Sequence, residues 1–186
     1  MVAIPSLWLP ILLSAVIVFF VSWIIHMFLP YHHNDFSKLP SESEVQEALR
    51  RFNLPPGDYM LPRPDGPAGM RKPDYLEAVK KGPVAILTVM KPGPFNMGPS
   101  LARWFVYCLV VSGFAAYITS RAVEPGSSYL KVFRFAGATA FFCYSIALWQ
   151  DSIWHARKWS TSVKNTFDGL VYGAMTAGTF GWLWPR

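Results

Sequence analysis

Of the residues in this chain that can hold a metal or pass a proton, one set falls beside the apolar runs: the four histidines, His26, His32, His33 and His155, and the acids Asp35, Asp151 and Asp168, with Gln150 next to them. Imidazole and carboxylate are the ligands that zinc, iron and manganese take. His26 and Asp168 lie inside or at the edge of apolar runs, where an ionisable group is costly and tends to mark function. The candidate metal ligands are therefore His26, His32, His33, Asp151, His155 and Asp168. They would serve a metal or haem group in redox or proton-handling chemistry. A plainer reading stands beside this one. Histidines and acids favour wet interfaces, and Asp168 suits the positive start of a helix. His26 can simply bond to a neighbouring helix. No His-x-x-His or HExxH spacing occurs, and the adjacent His32 and His33 are poorly placed for two ligands on one helix face. The sequence contains no GxSxG, P-loop or dinucleotide fingerprint, and it names no catalytic nucleophile.

Four apolar stretches must position these groups. Hydrophobic residues make up 52% of the 186 and charged ones 15%, well under the roughly 25% charged of soluble domains. Eight Trp and 14 Phe suit lipid–water boundaries. The net charge of +6 reflects Lys and Arg in loops beside apolar spans, and no nucleic-acid-reading motif accompanies it. The spacing predicts spans over 7–29, 99–120, 132–149 and 165–184, each near the 20 residues that cross a bilayer. The first has no basic residue before it and no small-residue cleavage site after it, so it reads as a retained helix rather than a signal peptide. Cys108 and Cys143 fall within spans and read as buried thiols.

The fourth stretch, from Asp168 to Trp184, is the most telling. Gly169, Gly173, Ala177 and Gly181 recur every four residues, a continuous small face on a helix. Such glycines weaken a helix in water, but in lipid they let backbones approach closely. This face is expected to pack inside the protein or against a partner.

Residues 30–98 differ. They hold most of the prolines, 9 Lys or Arg and 8 Asp or Glu. A capping box of Ser43 and Gln46 predicts a short amphipathic helix near 42–52. Pro73 and Gly82 bracket a second over 73–81. Residues 84–90 are expected to pair with 59–61 as a small hairpin, and 92–99 to lead back to the membrane. The apolar content marks the segment as a folded appendage. The expected domains are thus 1–29, 30–98 and 99–186: an all-α unit of four transmembrane helices in a bundle, with a small mixed α/β insertion. Residues 150–164 form the last loop. With four spans the termini share one side, and the basic residues place the long loop in the cytoplasm, which gathers the histidines and acids at that face.

The stretches 11–30 and 165–184 resemble small four-helix inner-membrane proteins of bacteria whose activity is not established. That resemblance implies membrane location and four helices, and no catalytic residues. Two functions are expected: an accessory or assembly component of the membrane that meets the lipid bilayer and a membrane-protein partner or a second copy of itself, or a metal- or haem-binding protein using the His/Asp cluster.

Overall fold

The computed structural model describes residues 1–94 and 96–186. Phe95, inside the 92–99 stretch, lies outside them. The chain divides into two units, Met1–Phe36 with Asn96–Arg186, and Ser37–Phe95.

The first unit is built on four long helices: α1 (Trp8–Phe28), α5 (Gly98–Ala122), α6 (Tyr129–Ser145) and α8 (Trp159–Leu183). Each packs against two others, in the order α1, α5, α6, α8 and back to α1. Among the described residues, three helices are long and apolar enough to cross a membrane: Ile4–Phe28, Gly98–Ala122 and Tyr129–Trp154. These make the chain a multi-pass membrane protein by length and composition. The helix α8 is as long but less apolar, and ten of its 25 residues are buried, against six of 21 in α1. The buried face of α8 carries Ser, Thr and Gly, which let neighbouring backbones approach, while Phe167, Leu170 and Trp182 look outward. Phe20 and Ile24 look outward from α1, while the buried Ser14 donates to Ser112 at 3.0 Å and Ser22 accepts from Trp104 Nε1 at 2.8 Å.

The close contact is between α6 and α8. A Cβ on Gly169 would stand 2.5 Å from the Ser145 Cβ, and one on Gly181 would stand 2.7 Å from the Tyr129 ring. One on Gly173 would be 3.1 Å from the Gly137 carbonyl oxygen and 3.2 Å from the Phe141 nitrogen. The approach is reciprocal, since a Cβ on Gly137 would sit 2.8 Å from that of Ala177. The small face of α8 is thus taken up within the chain.

The last loop is shorter than the sequence suggested. After Ser145 the chain makes one tight turn over Ile146–Leu148, forms α7 (Trp149–Trp154), and re-enters α8 at Trp159. The expected 150–164 loop is therefore helical at both ends. The cause is local: Thr161 and Ser162 are buried, the Ser152 and Ser162 hydroxyls bond at 2.7 Å, and Trp149 meets Trp159 edge to face.

The second unit contains α2 (Glu42–Arg50), β1 (Gly57–Leu61), α3 (Gly66–Gly69), α4 (Pro73–Lys81) and β2 (Ala85–Val89). The strands pair antiparallel, Gly57 opposite Val89 and Leu61 opposite Ala85, so they close a long excursion rather than a tight hairpin. Gly82 ends α4 at φ 64°, a backbone state that glycine takes without strain. The capping box is not formed. The helix α2 begins at Glu42, after Ser41, and Ser43 lies within its first turn. Glu42 and Glu44 there put negative charge at the positive end of the helix, as a macrodipole favours. Among the described residues of this unit only Gly69 is buried. Phe52, Leu76 and Ile86 stay exposed, because two strands and short helices offer too little surface to cover them.

Candidate metal centre

Residues 30–36 belong to the helical unit because they are tied to α8. Past Leu29 the chain makes a tight turn over Pro30–His32, which sets His32 inward and leaves His33 exposed. His32 Nε2 meets Asp168 Oδ2 at 2.8 Å, and its Nδ1 meets Asp35 Oδ2 at 2.7 Å. The Tyr31 hydroxyl donates to the other Asp168 oxygen. Lys164 Nζ, one turn before Asp168 on α8, donates to Asp35 Oδ1 at 2.8 Å. His26, in the last turn of α1, stacks its ring on His32 at 4.6 Å between centroids and 9° between planes.

Three potential ligands converge here. One atom from each of His26, His32 and Asp168 lies within 4.8 Å of the others. Zinc and similar ions bind such atoms at about 2.0–2.2 Å, which sets ligands on one ion roughly 3–3.5 Å apart, so small side-chain movements would close the set. The outer contacts orient it. His26 Nδ1 lies 2.9 Å from the Ser22 carbonyl oxygen, which can only accept, so Nδ1 is the donor there and Nε2 is the nitrogen left to meet an ion. His32 has Asp35 behind its Nδ1, the arrangement that fixes ligating histidines elsewhere.

The other candidates fall away from this set. His33 is exposed. Asp151 and His155 pair with each other at 3.2 Å on the exposed side of α7, where Arg157 also approaches Asp151 at 3.9 Å. They sit apart because α7 continues the helical path, and Ala156, at φ 52°, turns the chain before α8 begins. Sequence reasoning gave no role to Tyr31 or to Lys164. The i,i+4 spacing of Lys164 and Asp168 on one helix was the available signal.

Burial and the Asp168 carboxylate raise the Tyr31 hydroxyl far above its ordinary value, so it remains a donor. Burial alone would push Asp35 up, but hydrogen bonds from Lys164 and His32 outweigh it and hold the carboxyl below its usual range. A carboxylate with a lowered value in the folded state stabilises above the ordinary carboxylate range and loses that contribution as pH falls through its folded value. Thermal stability should therefore decline in acid below about pH 4. Lys164→Gln should move that decline to higher pH, as read from melting curves between pH 6 and 3. An unchanged acid profile in Lys164→Gln would show that the contact contributes nothing.

One helical turn beyond Asp168, Tyr172 packs edge to face on Tyr144 at 5.4 Å, and both rings touch Trp104. The Tyr172 hydroxyl is buried without a hydrogen-bond partner among the described residues, whereas that of Tyr144 faces the Cys108 thiol. Desolvating a hydroxyl without compensation costs about 1–3 kcal/mol. Tyr172→Phe should accordingly keep or raise the melting temperature, and a loss above about 1 kcal/mol would show that the hydroxyl is engaged.

No protein-family model, no curated protein and no solved structure matches this chain.

Proposed function

We propose that this multi-pass membrane protein binds a divalent transition metal through His26, His32 and Asp168. The observation that carries the reading is the convergence of two imidazoles and one carboxylate from three separate segments. Two nitrogens and one oxygen leave coordination positions open, as in catalytic zinc sites and non-haem iron sites. Convergence on one point suits an ion rather than a porphyrin. A metal there would join the end of α1, the 30–36 turn and α8. The alternative accessory role drew on the small face of α8, which α6 occupies within the chain, and on the folded 30–98 segment. We propose α8 as a fourth crossing, which would set both termini on one side and the loops 30–98 and 150–164 on the other, and the basic residues favour the cytoplasm for those loops.

The test is elemental analysis of protein purified gently from membranes, followed by titration of chelator-treated protein with zinc, manganese and ferrous ions. About one equivalent bound, lost in His32→Ala, is the expected result. Substoichiometric metal together with no saturable binding at micromolar ion would refute the assignment.

A further inference from the structure

Beside the seam where α6 and α8 meet lies a groove of about 400 Å³, within the range of small-ligand sites. The space exists because Gly137 and Ala138 on one helix and Gly173 and Ala174 on the other carry little or no side chain, and Phe133, Phe141 and Leu170 bound it. One charged side chain lines it, that of Arg134. Arg134 lies within the second turn of α6, in a helix long and apolar enough to cross a membrane. It is exposed, and its guanidinium has no ion pair or hydrogen bond among the described residues. Lys131, one turn earlier on the same face, is exposed and equally unpaired there. Both cations stand near a helix end that is itself positive, and no acidic residue occupies its first turn. The helical unit offers them no counter-charge inside a span. Asp35 and Asp168 are held at His32, Asp151 pairs with His155 and Arg157, and Glu124 lies in the turn before α6. A cation at membrane depth needs an anion or water close by, and a guanidinium matches phosphate through two parallel hydrogen bonds.

We infer that this groove binds one anionic phospholipid, its phosphate on Arg134 and Lys131 and one acyl chain lying over Gly137 and Ala138 toward Phe141 and Leu170. Basic pockets between membrane helices take such headgroups. From Arg134 to Phe141 the path along α6 is about 10 Å, which fits inside one leaflet's hydrocarbon depth of about 15 Å. A second copy of the chain is the poorer occupant, since its spans contain no unpaired acid to meet Arg134. The inference is independent of the metal reading, because none of His26, His32 and Asp168 lines this groove.

Native mass spectrometry of the full chain in mild detergent, titrated with dioleoylphosphatidylglycerol or dioleoylphosphatidylcholine, tests this. The two lipids share their tails and differ in net headgroup charge. The expected result is one phosphatidylglycerol retained per chain, with an affinity at least tenfold above that for phosphatidylcholine. Arg134→Gln should reduce this preference below threefold. Ala138→Phe fills the groove from an exposed position and should prevent retention of either lipid. Arg157→Gln, at an arginine that does not line the groove, should match the parent. Glycerol 3-phosphate carries the anion without tails and should not displace the lipid at millimolar concentration. Equal retention of the two lipids, or a parent-like preference in Arg134→Gln, would overturn the phosphate assignment. Undiminished binding in Ala138→Phe, or displacement by glycerol 3-phosphate, would overturn the acyl-chain site. A lipid-free dimer that Ala138→Phe splits into monomers would give the groove to a second copy and remove the inference.

Discussion

Gly173→Leu is expected to leave the protein without its folded helical unit. A Cβ at this position already meets the Gly137 carbonyl oxygen and the Phe141 Cβ at 3.1 Å and the Phe141 nitrogen at 3.2 Å. Two of those three atoms are backbone, so no rotamer change relieves them, and α6 and α8 must separate along their length. Overpacking by a few methylenes costs about 1–3 kcal/mol where side chains can shift. Leucine against backbone should exceed that range, out of a total stability of about 5–15 kcal/mol. Gly113→Leu on α5 is the matched control, since nothing lies within 4 Å of a Cβ there. Thermal unfolding and gel filtration in mild detergent read both variants. The control should behave like the parent while Gly173→Leu aggregates or melts far lower. Parent-like melting of Gly173→Leu would mean that α8 does not pack against α6 in this way.

Asp168→Ala is the second large effect. This carboxylate accepts from both Tyr31 and His32, and the His32 and Asp168 side chains are only 9% and 4% exposed. Truncating one member of a buried pair costs about 3–5 kcal/mol, because the partners lose their compensation. For a chain of this length that corresponds to roughly 10 °C in melting temperature. Metal should be lost in the same variant, and residues 30–36 should become open to protease. His33→Ala, one residue from His32 but exposed, should change neither melting nor metal. If Asp168→Ala melted within a degree of the parent and kept its metal, both the clamp and the metal assignment would be wrong.

Much of the helical unit was legible in the sequence. Apolar runs of bilayer length located the long helices, and the four-residue recurrence of Gly169, Gly173, Ala177 and Gly181 marked a small face, which in the structure lies close against α6. What that face meets was not legible, because its counterpart Gly137 stands alone in α6 and belongs to no repeat. The site was half legible. Residue chemistry nominated His26, His32 and Asp168, but equally His33, Asp151 and His155. The choice among them rests on a three-residue turn after Leu29 and on 136 residues of chain separating His32 from Asp168. Local spacing cannot encode such a distance. Tyr31 and Lys164 were hidden for another reason: an aromatic near an interface and a lysine in a loop both have ordinary explanations. In the second unit the paired strands and the 73–81 helix were visible in pattern, and α2 begins where expected, at Glu42, but the Ser43 capping box does not form and no serine side chain caps the helix.

The clamp joins the beginning of the chain to its end, which imposes an order on biogenesis. When α1 leaves the ribosome its neighbouring turn carries Tyr31, His32 and Asp35 with no partner yet made. Their partners, Lys164 and Asp168, arrive more than a hundred residues later, roughly ten seconds at ordinary rates of synthesis. The last long helix is also the least apolar of the four, so it gains least from lipid by itself. It is best accommodated where three earlier helices already wait with a slot that fits its own small face and an unmatched polar end. Chains halted before residue 159 should therefore linger with insertion machinery or chaperones, and release should coincide with synthesis of the final 25-residue helix.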